Sequence, residues 1–185
     1  LIDNELLTRF QTRIAPELDP AHLTQVALGS LMDMLKASRA ALFRHPEGEI
    51  ELIDHINWPC LQGQRVDAGG VFRHVQMLRT VYGVGGTREI RGDGCDVDVG
   101  AMAVPIHSGG KPVACLIVSG STDASRTTWT VDDARLLEQA SLELGIAFER
   151  SNLHASVVLE RARQDQLMAG LGQALVIFDG KGNPL

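Results

Sequence analysis

Residues 101–119 read AMAVPIHSGGKPVACLIVS, and their pattern decides the fold. The first half alternates: Met102, Val104 and Ile106 point to one face, Ala101, Ala103 and His107 to the other. From Pro112 on, the chain is apolar on both faces, with Val113, Cys115 and Ile117 opposite Ala114, Leu116 and Val118. Alternation predicts a strand with one face free to be wet or functional, whereas a strand apolar on both sides is buried between layers. Ser108-Gly109-Gly110-Lys111 is turn chemistry, since glycine takes positive φ without a steric cost. The stretch is therefore a β-hairpin. Pro105 lacks a ladder N–H and belongs at an edge or a bulge.

Working outward, the chain alternates helices with short strands. Residues 3–15 carry Leu6, Leu7, Phe10 and Ile14 at helical spacing, and Pro16 and Asp19-Pro20 end that helix. A stronger amphipathic helix follows over 21–36, with Leu23, Val26, Ala27, Ser30, Leu31, Met34 and Leu35 in one stripe. Residues 40–44 and 49–57 flank the turn His45-Pro46-Glu47-Gly48 and form an antiparallel pair. Residues 58–66 are an irregular connection, and 67–80 read as a helix capped by Asp67 with Val71, Val75 and Leu78 on its apolar side. Residues 83–100, GVGGTREIRGDGCDVDVG, are expected to form a long Gly- and Asp-rich loop of the kind that is usually functional or mobile.

The last helix opens at Thr130, with Asp132 and Asp133 in its first turn, and meets no proline from Val131 to Gln173. One 4-3 spacing runs through Leu137, Ser141, Leu144, Phe148, Ser151, Ala155, Val158 and Ala162, a second through Ile146, Leu153, Val157, Leu167 and Leu171. Neither is an unbroken zipper. A helix of roughly forty residues outruns a domain of this size at ~1.5 Å per residue. Its distal part needs a partner, most simply the same helix of a second subunit; the alternative is a break near His154.

A strand ending in Val104-Pro105-Ile106, a Gly turn, PVACLIVSGS over 112–121 and WTVDDARLLEQASLELGIAFERSNL over 129–153 together resemble the C-terminal half of a GAF domain. The likeness covers residues 20–153 and implies an α/β (α+β) fold: an antiparallel central sheet flanked by helices, with a long C-terminal signalling helix. It also implies a small-molecule-binding or dimerising module of a signalling protein, in which the helix at 67–80 closes a ligand cavity. Strand parity and that architecture make Val71, Phe72, His74, Val75, Tyr82, Met102, Val104 and Ile106 the cavity candidates, with the opposite parity open. Residues 174–185, ALVIFDGKGNPL, resemble the opening strand of a PAS domain. The expected organisation is an N-terminal helix (1–19), the sensor domain (20–153), a helical linker (154–173) and a PAS start (174–185). Homodimerisation through the terminal helices, a small-molecule ligand, and a downstream PAS and output domain in the same chain follow as expected partners.

Composition narrows the classes. Hydrophobic content of 44% supports a core, aromatics at 4% make it aliphatic, and a net charge of −6 with only short basic stretches at 39–44 and 161–163 argues against a nucleic-acid face. No apolar run approaches the ~18–20 residues of a membrane span, and the first residues lack a signal peptide's basic and apolar regions. The chain begins without Met and ends in mid-pattern, as an excised segment of a longer bacterial protein would. Cys60, Cys95 and Cys115 have neither disulfide-framework nor zinc spacing, which fits a reducing cytoplasm.

No catalytic set is legible. Cys95 resembles the position of a cysteine in GAF proteins that reduce free methionine sulfoxide, but Gly69-Gly70-Val71-Phe72 lacks that family's other cysteine, and Asp96 and Asp98 disfavour a thiolate. Asp93, Asp96 and Asp98 lack the rest of a calcium-loop pattern. His55, His74 and His107 are the candidates for a haem or metal, although lone histidines are more often simply hydrogen-bonded. The cysteines lack the surroundings of a bilin attachment site, there is no Asn-Lys-Phe-Asp-Glu run for a cyclic nucleotide, and no Gly pair leads into Lys-Ser or Lys-Thr. The reading is a non-enzymatic sensor with its cofactor, if any, unassigned. The alternatives are a ligand-free structural dimeriser and a thiol reductase using Cys95.

Overall fold

The computed structural model describes residues 4–44, 51–58, 100–126 and 128–174, with side chains to 170. Two helices, α1 (Asn4–Ile14) and α2 (Pro20–Leu35), precede strands β1 (Arg39–Arg44) and β2 (Glu51–Ile56). Strands β3 (Ala101–Ser108) and β4 (Lys111–Ser119) follow, and then the 44-residue helix α3 (Val131–Ala174). The chain divides into two compact units, Leu1–Ser151 and Asn152–Leu185.

Helix boundaries follow from local chemistry. The Asp19 carboxylate accepts the His22 backbone N–H at 2.8 Å with Pro20 at the first helical position, and α2 ends where Lys36 turns left-handed. At α3, Thr130 Oγ1 accepts the Asp133 N–H at 3.2 Å while Asp133 Oδ2 accepts the Thr130 N–H at 2.8 Å. This reciprocal pair satisfies orphan donors at both ends of the first turn.

The described strands all pair antiparallel, in the order β2-β1-β4-β3. The 101–119 hairpin forms as its sequence dictates, with Gly109 and Gly110 at φ 57° and 78°. Among the described strands β3 is an edge, which accommodates Pro105, and the register slips between Ile106 and His107. One expectation changes: β3 has no wet face. Ala101 through Ile106 are all buried, because its small alanines are covered as fully as the larger residues opposite.

The main core lies between the sheet and the helices. Ala40, Leu42, Met102, Val104, Ile106, Ala114, Leu116 and Val118 from the sheet join Phe10, Leu23, Leu31, Leu35, Leu137 and Leu144 from the helices. Gly145 lets α3 press on β3: a Cβ there would sit 2.1 Å from the His107 carbonyl oxygen. The α3 residues nearest the end of this unit grip the α1–α2 connection. Arg150 donates to the carbonyls of Ile14 (3.0 Å) and Glu17 (3.4 Å), and Ser151 Oγ donates to that of Leu18 (2.7 Å).

Candidate functional site

The sheet has a second buried face. Ala41, Phe43, Ala101, Ala103, Cys115 and Ile117 are at most 2% exposed, yet none belongs to the helix-side core cluster. Register arranges them in rows. His55 lies opposite Ala41, Ala41 opposite Ile117, and Ile117 opposite Ala103, so one row crosses all four strands. At the usual strand spacing it is about 14 Å long. Phe43, Cys115 and Pro105 make the next row.

Two nitrogens on the β2 side of the sheet have no partner. Trp58, 1% exposed, follows β2 with its indole Nε1 buried and unbonded, and His55 Nδ1 is likewise buried and unbonded. Trp58 also stands outside the helix-side cluster. The β1–β2 register slips between Leu42 and Phe43, and Asn57 then takes φ 55° and donates from its side-chain amide to the Ser38 carbonyl at 3.3 Å, so a left-handed residue separates β2 from Trp58. An unsatisfied buried donor or acceptor costs about 1–3 kcal/mol, so these two nitrogens are expensive unless something bonds to them.

Burial drives the Cys115 thiol far above the ordinary thiol range, which removes it as a nucleophile or covalent anchor. Among the described residues no group of three or more His, Cys, Asp or Glu could hold a metal ion. His55 on β2 and His107 on β3 sit on the two outer described strands, with β1 and β4 between them, so the fold does not bring this pair together. In a cleft between α1 and α2, lined in part by Leu6, Phe10 and Met34, Arg9 pairs with Glu5 and Arg13 with Asp33. Its cations are already neutralised.

The approach to α3 is tied to the start of β3. Trp129 Nε1 donates to the Gly100 carbonyl at 2.6 Å, and Arg126 lies over the Trp129 ring, 5.3 Å from its centroid. Arg126 also donates to the Leu35 carbonyl and to Asp133, both at 3.1 Å. One cluster thus joins the end of α2, the first residue before β3 and the first turn of α3.

Of the residues singled out from sequence, Met102, Val104 and Ile106 come together, in the core between sheet and helices at 0–1% exposure. The reverse parity, with Ala101 and Ala103, is the face away from the helices. Val71, Phe72, His74, Val75 and Tyr82 lie outside the described residues, as do Cys95 and the acidic cluster at 93–98. Sequence reasoning missed Trp58, Ala41, Phe43 and Ile117. The available signal was Trp58 itself, one of two tryptophans in a chain poor in aromatics.

A profile of the GAF domain family matches residues 19–148. The chain belongs to the GAF family. Solved structures agree on the GAF fold at low identity. The free methionine-R-sulfoxide reductase of Neisseria meningitidis, in complex with its substrate, is 17% identical with a TM-score of 0.63, covering 82% of this chain and 90% of that one. The phycoerythrobilin-bound GAF domain of a cyanobacterial phytochrome is 16% identical with a TM-score of 0.61, covering 83% and 97%. Residues 122 to 287 of a methyl-accepting chemotaxis protein are 16% identical with a TM-score of 0.59, covering 78% and 97%. No curated protein matches the sequence. GAF domains are sensor and regulatory modules of signalling proteins, and some bind bilins. No helix among the described residues is long and apolar enough to cross a membrane.

Proposed function

We propose that this GAF domain is a non-catalytic sensor and dimerisation module of a multidomain bacterial signalling protein. A small molecule binds against the sheet face of Ala41, Phe43, Ala103 and Ile117, and α3 passes the change onward. The observation that carries this reading is the buried, unbonded pair Trp58 Nε1 and His55 Nδ1 on the β2 side of the sheet. A ligand with a hydrogen-bonding group there would offset their desolvation. Val71, Phe72, His74, Val75 and Tyr82 remain the candidates for the opposite wall. The GAF relatives that hold a bilin or a substrate support a ligand-binding use of the fold.

The relay would run through the Trp129–Gly100 bond and the Arg126–Asp133 pair, because these hold the first turn of α3. A ligand moves such an equilibrium only by its differential affinity for the two states. Two copies associate through the terminal helices, and a PAS and an output domain follow in the same chain; residues 175–185 lie outside the described ones. A cytoplasmic setting fits the free thiol of Cys115.

Mass spectrometry of the purified protein, native and denatured, with an absorption spectrum of the same sample, tests the ligand. An extra non-covalent mass, reduced at least about tenfold in occupancy by Trp58→Phe, is the expected result. Bare polypeptide after incubation with a broad metabolite extract rejects the sensor and leaves a ligand-free structural dimeriser. A reductase role for Cys95 would require methionine sulfoxide turnover that Cys95→Ser abolishes.

A further inference from the structure

The second face of the sheet has a polar corner. Arg39 lies opposite Ser119, in the row next to the one that runs from His55 to Ala103. Side chains two apart on a strand share a face, so Arg39 stands on the same side as Ala41, and Ser119 on the same side as Ile117. Asn57 bonds the Ser38 carbonyl, which brings the end of β2, and Trp58 after it, beside the start of β1. Arg39, Ser119, His55 and Trp58 therefore gather where β1 begins and where β2 and β4 end.

Every group in this corner can donate. The Trp58 indole donates only, and its buried Nε1 bonds nothing. The His55 ring donates from Nδ1 in one of its tautomers, and that nitrogen is also buried and unbonded. Ser119 and the half-buried Arg39 are engaged within the chain, so the two nitrogens mark the open valences. Arg39 adds a fixed positive charge. Among the described residues the strands carry two acids, and neither is on this face. Asp54 lies opposite Leu42, on the helix side, and bonds Gln25 of α2, while Glu51 pairs with Arg44.

Two open nitrogens beside one cation suit an acceptor with a single negative charge. An ionised carboxylate only accepts, through two oxygens, and hydrogen bonds to an ionised group are the stronger kind. A buried anion has to be paired, so one guanidinium favours a carboxylate over a phosphate dianion. Away from the corner, Ala41, Ile117 and Ala103, and beside them Phe43 and Cys115, offer apolar surface. We propose that the ligand of this face is a small organic carboxylate with an apolar body. Its head group bonds Trp58 Nε1 and His55 Nδ1, with Arg39 as countercharge, and its body lies along Ala41, Ile117 and Ala103. The proposal rests on the ligand reading above and adds the ligand's charge and its orientation.

The test uses the full chain and the indole N–H signals of its two tryptophans in an NMR spectrum, assigned with Trp58→Phe. Octanoate or phenylbutyrate should move the Trp58 signal downfield and saturably. The matching amides, octanamide and phenylbutanamide, should bind at least about tenfold more weakly, since only the acids gain charge-assisted bonds. Arg39→Gln should erase that preference by weakening the acids and not the amides. In the ligand-free variant an unmoved Trp129 signal, set by its bond to the Gly100 carbonyl, verifies folding. Amides that bind as tightly as the acids overturn the carboxylate and leave the ligand face standing. Acids and amides weakened alike by Arg39→Gln overturn the countercharge. A Trp58 signal that none of the four probes moves at millimolar concentration overturns the head-group position, and bare polypeptide in the mass spectrum then overturns the ligand reading as well.

Discussion

Gly145 is where a single hydrogen atom in place of a methyl group sets the distance between helix and sheet. The site at which a Cβ would fall is 2.1 Å from a backbone oxygen, and backbone cannot swing aside as a side chain can. Gly145→Ala should therefore cost about 1–3 kcal/mol, seen as a lower Tm, despite alanine's better helix propensity. Gly170 lies in the same helix with nothing within 4 Å, so Gly170→Ala should instead be neutral or stabilising by up to about 1 kcal/mol. Equal effects at both sites would mean that the close approach at His107 does not limit the packing. Cys115 makes a second prediction. Buried and protonated, it should resist iodoacetamide in the native protein at about pH 8 and react once guanidinium unfolds the chain. Peptide mapping reads this at Cys115 alone, and rapid native labelling would show that the second sheet face is open to solvent.

At the scale of elements, α3 depends on its first turn. Asp133, 7% exposed, bonds Thr130 and Arg126 together, and Arg126 in turn holds the last turn of α2. Asp133→Ala removes the reciprocal cap and leaves a half-buried guanidinium without its carboxylate, a loss of about 2–3 kcal/mol in denaturant unfolding. Exchange of the amides over 131–137 should rise with it. Protection unchanged in that turn would show that packing alone holds the helix there. The cap itself was legible, because Thr130 followed by acids at 132 and 133 is a local signal. So were the hairpin and the helical stripe through Leu23, Ala27, Leu31 and Met34. What could not be read was which face of β3 meets the helices. Alternating apolar residues fix two sets of side chains but not the side each takes, and only packing of the sheet against the helices sends Met102, Val104 and Ile106 to the helical core. The Trp129–Gly100 bond and the unbonded Trp58 nitrogen escaped for a related reason. They join segments distant in sequence, or record the absence of a partner, and neither leaves a periodic trace.

For the whole molecule, the split of the chain at residue 151 separates what folds the domain from what would join two of them. Every residue named in the core lies at or before Ser151, and from Asn152 to Gly170 no side chain is buried. The domain's stability should therefore be intrinsic to the first unit, while the apolar stripe beyond it adds stability only through association. Association stabilises by mass action, so the two contributions differ in their dependence on concentration. In the full chain the Tm should climb by several degrees as protein is raised about a hundredfold, since each tenfold rise in partner concentration is worth at most ~1.4 kcal/mol. A chain ending at Ser151 should melt cooperatively with a Tm that ignores concentration. Its Tm should match the full chain's at high dilution, because the helix beyond Ser151 contributes no core side chain of its own. A truncated chain that no longer melts cooperatively would place part of the domain's stability in the distal helix. A concentration-dependent Tm surviving the truncation would instead move the association to the α1 surface or to exposed apolar residues of the first unit such as Val131, Leu142 and Ile146.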